Sequence, residues 1–190
     1  MLQEAADETV PLKERIKFLG IFSNNMDEFF RVRVAALKRM IELGNKAKMH
    51  LELKPESILE EIQEKVVTQQ LSFDRIWKDI SKELKKENII LVDDRKLTVT
   101  QQKFVLQYFN EEVRSYIVPL MIESIQGFPV LNDKSIYLAC KLSKSDRSIP
   151  QKFALVSVPT RSLPRFVILP SKINEHAIIL LEDIIRFCLP

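Results

Sequence analysis

The hydrophobic period of this chain changes near its middle, and that change limits what it can fold into. Before about residue 118, apolar residues recur at three- and four-residue steps; beyond it, short runs rich in β-branched and aromatic residues take over. The first code specifies helices packed side by side, and the second specifies strands. The expected fold is therefore multi-domain, an all-α helical region over residues 1–95 followed by an α+β region over 96–190. At 190 residues the chain has room for one ordinary domain or two small ones, and its 46% apolar content is that of a globular protein.

From Pro11 the residues Leu12, Ile16, Leu19, Phe22, Met26, Phe29 and Phe30 lie on one helical face, continuing to Leu37, Met40 and Ile41. Pro11 suits a first turn, where a missing N–H costs nothing, and Gly44 suits a stop before a lysine-rich loop ending at Lys54. Ser57 and Glu60 have the spacing of a capping box for a second long helix. Its seam reads Leu59, Ile62, Val66, Gln69, Phe73, Trp77, Ile80 and Leu84, suited to antiparallel packing on the 11–43 helix, with Trp77 as a core anchor. Asn88 and the segment IILVDD close the helical part. Thr98 with Gln101, or Thr100 alone, caps a further helix to about Ile117, which Pro119 ends. The runs SIYLACKLS, QKFALVSVP and RFVILP read as strands, and 180–189 returns to helical spacing. That apolar helix stops at Pro190 without a polar close, so the natural chain is expected to continue.

Composition excludes several classes of function. Charges interrupt every apolar run before the roughly 18–20 residues a bilayer span requires. The acidic start MLQEAADETV has no signal-peptide core, and a cytoplasmic location, membrane-peripheral at most, is expected. Residues 1–95 carry 17 Lys+Arg against 18 Asp+Glu, a net −1, while residues 96–190 carry 12 against 8, a net +4. Neither half has the dense cationic surface of a nucleic-acid binder. Cys140 and Cys188 lie in apolar surroundings and read as free thiols. His50 and His176 are far apart with no metal-ligand spacing, and His176 reads as a surface residue. Three isolated glycines, Gly20, Gly44 and Gly127, cannot build a phosphate-cradling loop. With no nucleophile–base pair either, the chain is not expected to catalyse a reaction alone.

One segment is chemically unusual: Ser23-Asn24-Asn25-Met26-Asp27-Glu28-Phe29-Phe30-Arg31-Val32-Arg33. On a helix, Asn25 interrupts the column Phe18, Ile21, Phe29, Val32, Ala36. Two readings stand side by side. A buried Asn25 amide would bond a neighbouring element, because leaving it unpaired costs about 1–3 kcal/mol. An amide facing a cleft would instead read a ligand's donors and acceptors. Asp27 and Arg31 have the i,i+4 spacing of a solvated surface pair. Arg31 and Arg33 point about 200° apart on an α-helix, so at most one of them can grip a given phosphate.

The run PLKERIKFLGIFSNNMDEFFRVRVAALKR resembles the start of bacterial polyphosphate kinases of the first family, whose pattern is close to P-L-x-E-R-x-x-F-L-x-I-x-S-N-N-L-D-E-F-[FY]-x-V-R. Met26 replaces the usual Leu. LQEAAD resembles the end of that family's first helical motif, which begins before Met1, so the chain reads as clipped at both ends. LTVTQQKFVLQYFNEEVRSYIVPLM resembles the start of the family's head domain, SVPTRSLPRFVILP a strand pair within it and LLEDIIRFCL the helix after. The resemblance implies a four-domain parent that reversibly transfers the γ-phosphoryl of ATP to polyphosphate through a phosphohistidine, with Mg2+. It implies that Asn25 is the ATP-contacting residue, covering the adenine end. It implies too that the catalytic histidines and Mg2+ ligands lie elsewhere and that the head domain supports a homo-oligomer. The competing class is a stand-alone, non-catalytic module binding a protein or nucleic acid, which strong salt dependence would reveal.

Overall fold

The computed structural model describes residues 1–43, 54–124, 127, 129–142 and 152–189. Gly44 and His50, and with them the expected helix stop and most of the lysine-rich loop, lie outside the described residues. Contacts divide the chain into two compact units, Met1–Glu87 and Asn88–Pro190.

The first unit is helical. A short helix α1 (Leu2–Ala6) leads through a turn in which Asp7 Oδ1 accepts bonds from the Thr9 backbone N–H (2.8 Å) and hydroxyl (2.7 Å). These bonds hold the Asp7 carboxyl below its usual range. Pro11 then initiates α2 (Leu12–Phe29), its carbonyl accepting from the N–H groups of Glu14 and Arg15. The helix passes through a π-helical turn (Phe30–Val34) and continues as α3 (Ala35–Leu43), with helical backbone angles at both junctions. Helix α4 (Pro55–Lys86) packs against α2 and α3. Its core is a cluster of Ala5, Leu19, Ile76 and Ile80, flanked by Ile16, Phe73 and Leu84. Burial of each large aliphatic side chain here stabilises the hairpin by about 1.5–3 kcal/mol. Arg15 is buried among them, donating from Nε to the Ala5 carbonyl (2.9 Å) and from Nη1 to Glu83 (2.7 Å).

Two readings of α4 are corrected. Its start is Pro55, not Ser57, and no side-chain cap bond forms there. Proline's fixed φ starts the helix two residues earlier, leaving Ser57 in the third helical position instead of at the cap. Trp77 is not a core anchor: it is 38% exposed, and the inward positions are Ile76 and Ile80. Lys85 and Lys86 complement the carboxyl end of the helix dipole, and Asn88 takes the left-handed conformation (φ 60°) just beyond it.

The second unit is mixed. Strands β1 (Ile89–Leu91), β5 (Phe166–Ile168) and β6 (His176–Leu180) form one sheet in the order β1-β6-β5, with β1 parallel and β5 antiparallel to β6. Strands β2 (Pro119–Met121), β3 (Tyr137–Leu142) and β4 (Lys152–Ser157) form an antiparallel sheet in the order β2-β4-β3. Helix α5 (Val99–Tyr108) carries the expected capping box: the Gln101 N–H donates to Thr98 Oγ1 (3.3 Å), and the Thr98 N–H donates to Gln101 Oε1 (3.1 Å). The spiral continues through a π-helical turn (Phe109–Val113) and a 3-10 turn (Arg114–Tyr116). Helix α6 (Leu181–Cys188) follows β6 directly. Val105, Val113, Ile179, Leu181, Ile184 and Ile185 are fully enclosed in the core, with Val156 and Val167 joining from the two sheets.

The three strands read from the sequence are present. Two further segments differ from expectation. Ile89–Leu91, read with the helical part, is a strand of the second unit's sheet. His176, read as a loop residue, opens β6 and donates its backbone N–H to the Asn88 carbonyl (2.7 Å). No helix among the described residues is long and apolar enough to cross a membrane.

Candidate functional site

Asn25 lies in the penultimate turn of α2, just ahead of the π-helical turn. Its side chain is exposed, and so are Ile21 (44%), Phe29 (36%) and Val32 (48%) from the same column. Phe18, at the start of the column, packs against the core, but from Ile21 onward the column faces out, and the buried positions are Leu19 and Val34. This removes the premise of a buried structural amide. Asn25 Nδ2 has only a weak contact, donating to the Met1 sulfur at 3.5 Å, and its carbonyl oxygen makes no hydrogen bond among the described residues.

Asn25, Glu28, Phe29, Val32 and Arg33 line one open groove of about 330 Å3. The π-helical turn explains how Arg33 joins it. In an uninterrupted α-helix at about 100° per residue, Arg33 would point about 80° away from Asn25, whereas position 32 would lie within about 20° of it. A π turn adds a residue to the spiral. Arg33 is thereby swung back toward the direction that position 32 would otherwise hold. The ring of Phe29 in this groove meets that of Phe30, which lines the neighbouring cleft, edge to face at 6.0 Å.

The charges divide between the two arginines. Arg31 forms an ion pair with Glu28, one turn before it. Arg33 makes no hydrogen bond or ion pair among the described residues and is exposed. Asp27 and Ser23 line a separate cleft of about 320 Å3 between α2 and α4, walled by Phe22, Phe30 and Phe73. The rings of Phe22 and Phe73 lie 5.9 Å apart across it.

None of the remaining candidates lines this groove. His176 is exposed. Cys140 and Cys188 are free, half-buried thiols packed against the second unit's core, and burial pushes the Cys188 thiol up to about 11. Among the described residues no group of three or more His, Cys, Asp or Glu side chains is placed to hold a metal ion. The place of Arg33 on this groove was hidden in the sequence, because nothing in the residue types marks the π turn that aims it.

The order of a helical hairpin and a mixed two-sheet unit, with an exposed S-N-N-x-D-E-F segment, matches a known two-domain arrangement. Residues 1–92 match the family model described as the polyphosphate kinase N-terminal domain, and residues 100–190 match the polyphosphate kinase middle domain. The chain belongs to the polyphosphate kinase family. It is 40% identical to the polyphosphate kinase of Vibrio vulnificus (strain YJ016) and 36% identical to that of Escherichia coli (strain K12), in each case over 100% of this chain and 27% of the relative. Its fold superposes on the crystal structure of polyphosphate kinase from Porphyromonas gingivalis with a TM-score of 0.82 at 32% identity, covering 97% of this chain and 27% of that one. The chain thus spans about a quarter of the length of these relatives and corresponds to their N-terminal and middle domains.

Proposed function

We propose that this chain supplies the base-binding side of a polyphosphate kinase, with Asn25 covering the adenine end of ATP. The observation that carries the proposal is the exposed, weakly engaged Asn25 amide on an open groove with an apolar floor. A carboxamide has both a donor and an acceptor, the pair needed to recognise the edge of an adenine. Phe29 and Val32 offer apolar surface for the flat faces of the base. A near-neutral helical unit is poorly suited to stabilising charge on a transferring phosphoryl, but well suited to fixing a base in place.

By family resemblance, the parent enzyme transfers the γ-phosphoryl of ATP reversibly to polyphosphate through a phosphohistidine. His176 and His50 do not match the histidines that carry that step. Mg2+ belongs to the same chemistry; among the described residues no group of three or more His, Cys, Asp or Glu side chains is placed to hold it. The same resemblance gives the second unit a part in homo-oligomer formation. In support, Phe166 (62%) and Ile168 (70%) on β5 leave apolar surface uncovered.

The test is Asn25→Ala in a full-length kinase carrying this chain. The expected result is a KM for ATP raised by about ten-fold, from the loss of one or two well-placed hydrogen bonds. Unfolding should not change, since Asn25 supports no core contact. An unchanged KM and kcat for ATP would remove the assignment.

A further inference from the structure

Resting on the reading of this chain as part of a full-length kinase, we infer that the outer face of the β1-β6-β5 sheet seats a later segment of the same polypeptide, beyond residue 190. The strand register defines that face. Leu91, Ile178 and Ile168 stand in one row across the three strands, Phe166 pairs with Leu180 in the next, and Ile89 pairs with His176. The alternate positions Val167, Ala177 and Ile179 point the other way, into the core of the unit.

A sheet with one face in water normally carries polar side chains on that face. Here six of the seven outward positions are apolar, and His176, at the start of β6, is the exception. None of the six belongs to the core of the unit or packs against it. Phe166 and Ile168, more than half exposed, are thus the edge of a wider apolar face that takes in β6 and β1. Helices α5 and α6 supply Val105, Ile184 and Ile185 to the opposite face. A sheet that is apolar on both sides is the middle layer of three, and the third layer is the cover this face calls for.

Chain length points to the occupant. The chain spans about a quarter of the length of its relatives, and its match to the polyphosphate kinase middle domain runs through residue 190. A tethered segment meets the face at an effective concentration on the order of millimolar, which a second copy in dilute solution does not reach. The oligomer reading needs only some uncovered apolar surface on this unit, and Val118 (76%) and Val130 (98%) also provide it.

The experiment places the photo-reactive residue p-benzoylphenylalanine at position 166 of a full-length polyphosphate kinase carrying this chain. After irradiation, products are separated by mass and their cross-linked peptides mapped. The expected result is a link within single chains, from position 166 to a peptide beyond residue 190, at every protein concentration. A link found only at dimer mass and fading on dilution gives the face to a second copy and overturns the inference. So does the absence of any link beyond residue 190. Because benzophenone is bulkier than phenylalanine, Ile168→Cys supplies a second reading. Its maleimide labelling in the native full-length protein, read on the peptide bearing residue 168, is expected to be more than about ten-fold slower than in urea, at all concentrations. Native labelling as fast as in urea overturns the inference, as does protection that disappears on dilution. Neither readout involves a nucleotide, so the assignment of Asn25 can fail without touching this one, and the reverse.

Discussion

Arg15 Nη1 donates to both carboxylate oxygens of Glu83, at 2.7 and 2.9 Å, while Arg15 Nε holds the Ala5 carbonyl at 2.9 Å. One buried guanidinium thus ties α1, the start of α2 and the end of α4 together. The base of the hairpin is anchored there, and the S-N-N segment projects from the opposite end of α2, where cavities separate it from α4.

Glu83→Ala should destabilise the helical unit. It leaves Arg15, only 2% exposed, as a buried charge without its partner, for a cost of about 2–4 kcal/mol. Urea unfolding followed by circular dichroism measures it. Replacing both residues by apolar ones of similar size should recover much of the loss, because the buried charge is then gone.

Two capping boxes are legible in the sequence, and only one forms. Thr98→Ala should cost about 1 kcal/mol, since it removes the bond accepted from Gln101 at the start of α5. Ser57→Ala should change stability by less than about 0.5 kcal/mol, because Ser57 caps nothing. Denaturation midpoints of the two variants, measured side by side, check the contrast.

Cys188 sets a pH dependence at the alkaline end. Burial raises its folded-state pKa from 9.0 to about 11, so the folded chain keeps a proton that the unfolded chain gives up. The stability this contributes is fully present below pH 9 and is lost as pH rises toward 11. Thiol alkylation near neutral pH should be slow in the native state and fast after denaturation. Mass spectrometry of the peptide bearing Cys188 reads both rates.

Much of the fold was legible because its signals were local. The three- and four-residue steps from Leu12 to Ile41 describe a real continuous spiral, and Thr98 with Gln101 marks a real helix start. What failed depended on single residues. Alternating three- and four-residue steps from Leu59 through Phe73 reach Ile76 and then Ile80, the buried positions, and Trp77 lies one residue, about 100°, further round the helix. The run HAIIL joins the helix after it with no breaker between, so β6 could not be separated from α6. Strands of three residues, such as Ile89–Leu91, are too short to show alternation. At the candidate site, Asn25 stood out as chemistry, but its apolar neighbours suggested burial. The exposure of Ile21, Phe29 and Val32 and the redirected Arg33 required the packed hairpin and its π-helical turn to be seen.

The most direct test of the central claim is photo-cross-linking with an azido-adenine analogue of ATP in a full-length kinase carrying this chain, followed by tryptic mapping. The account predicts that label enters the peptide spanning residues 18–31, which contains Asn25 and Phe29, and that excess ATP suppresses it. Labelling confined to other peptides, with none in 18–31, would contradict the assignment of the adenine end to this groove.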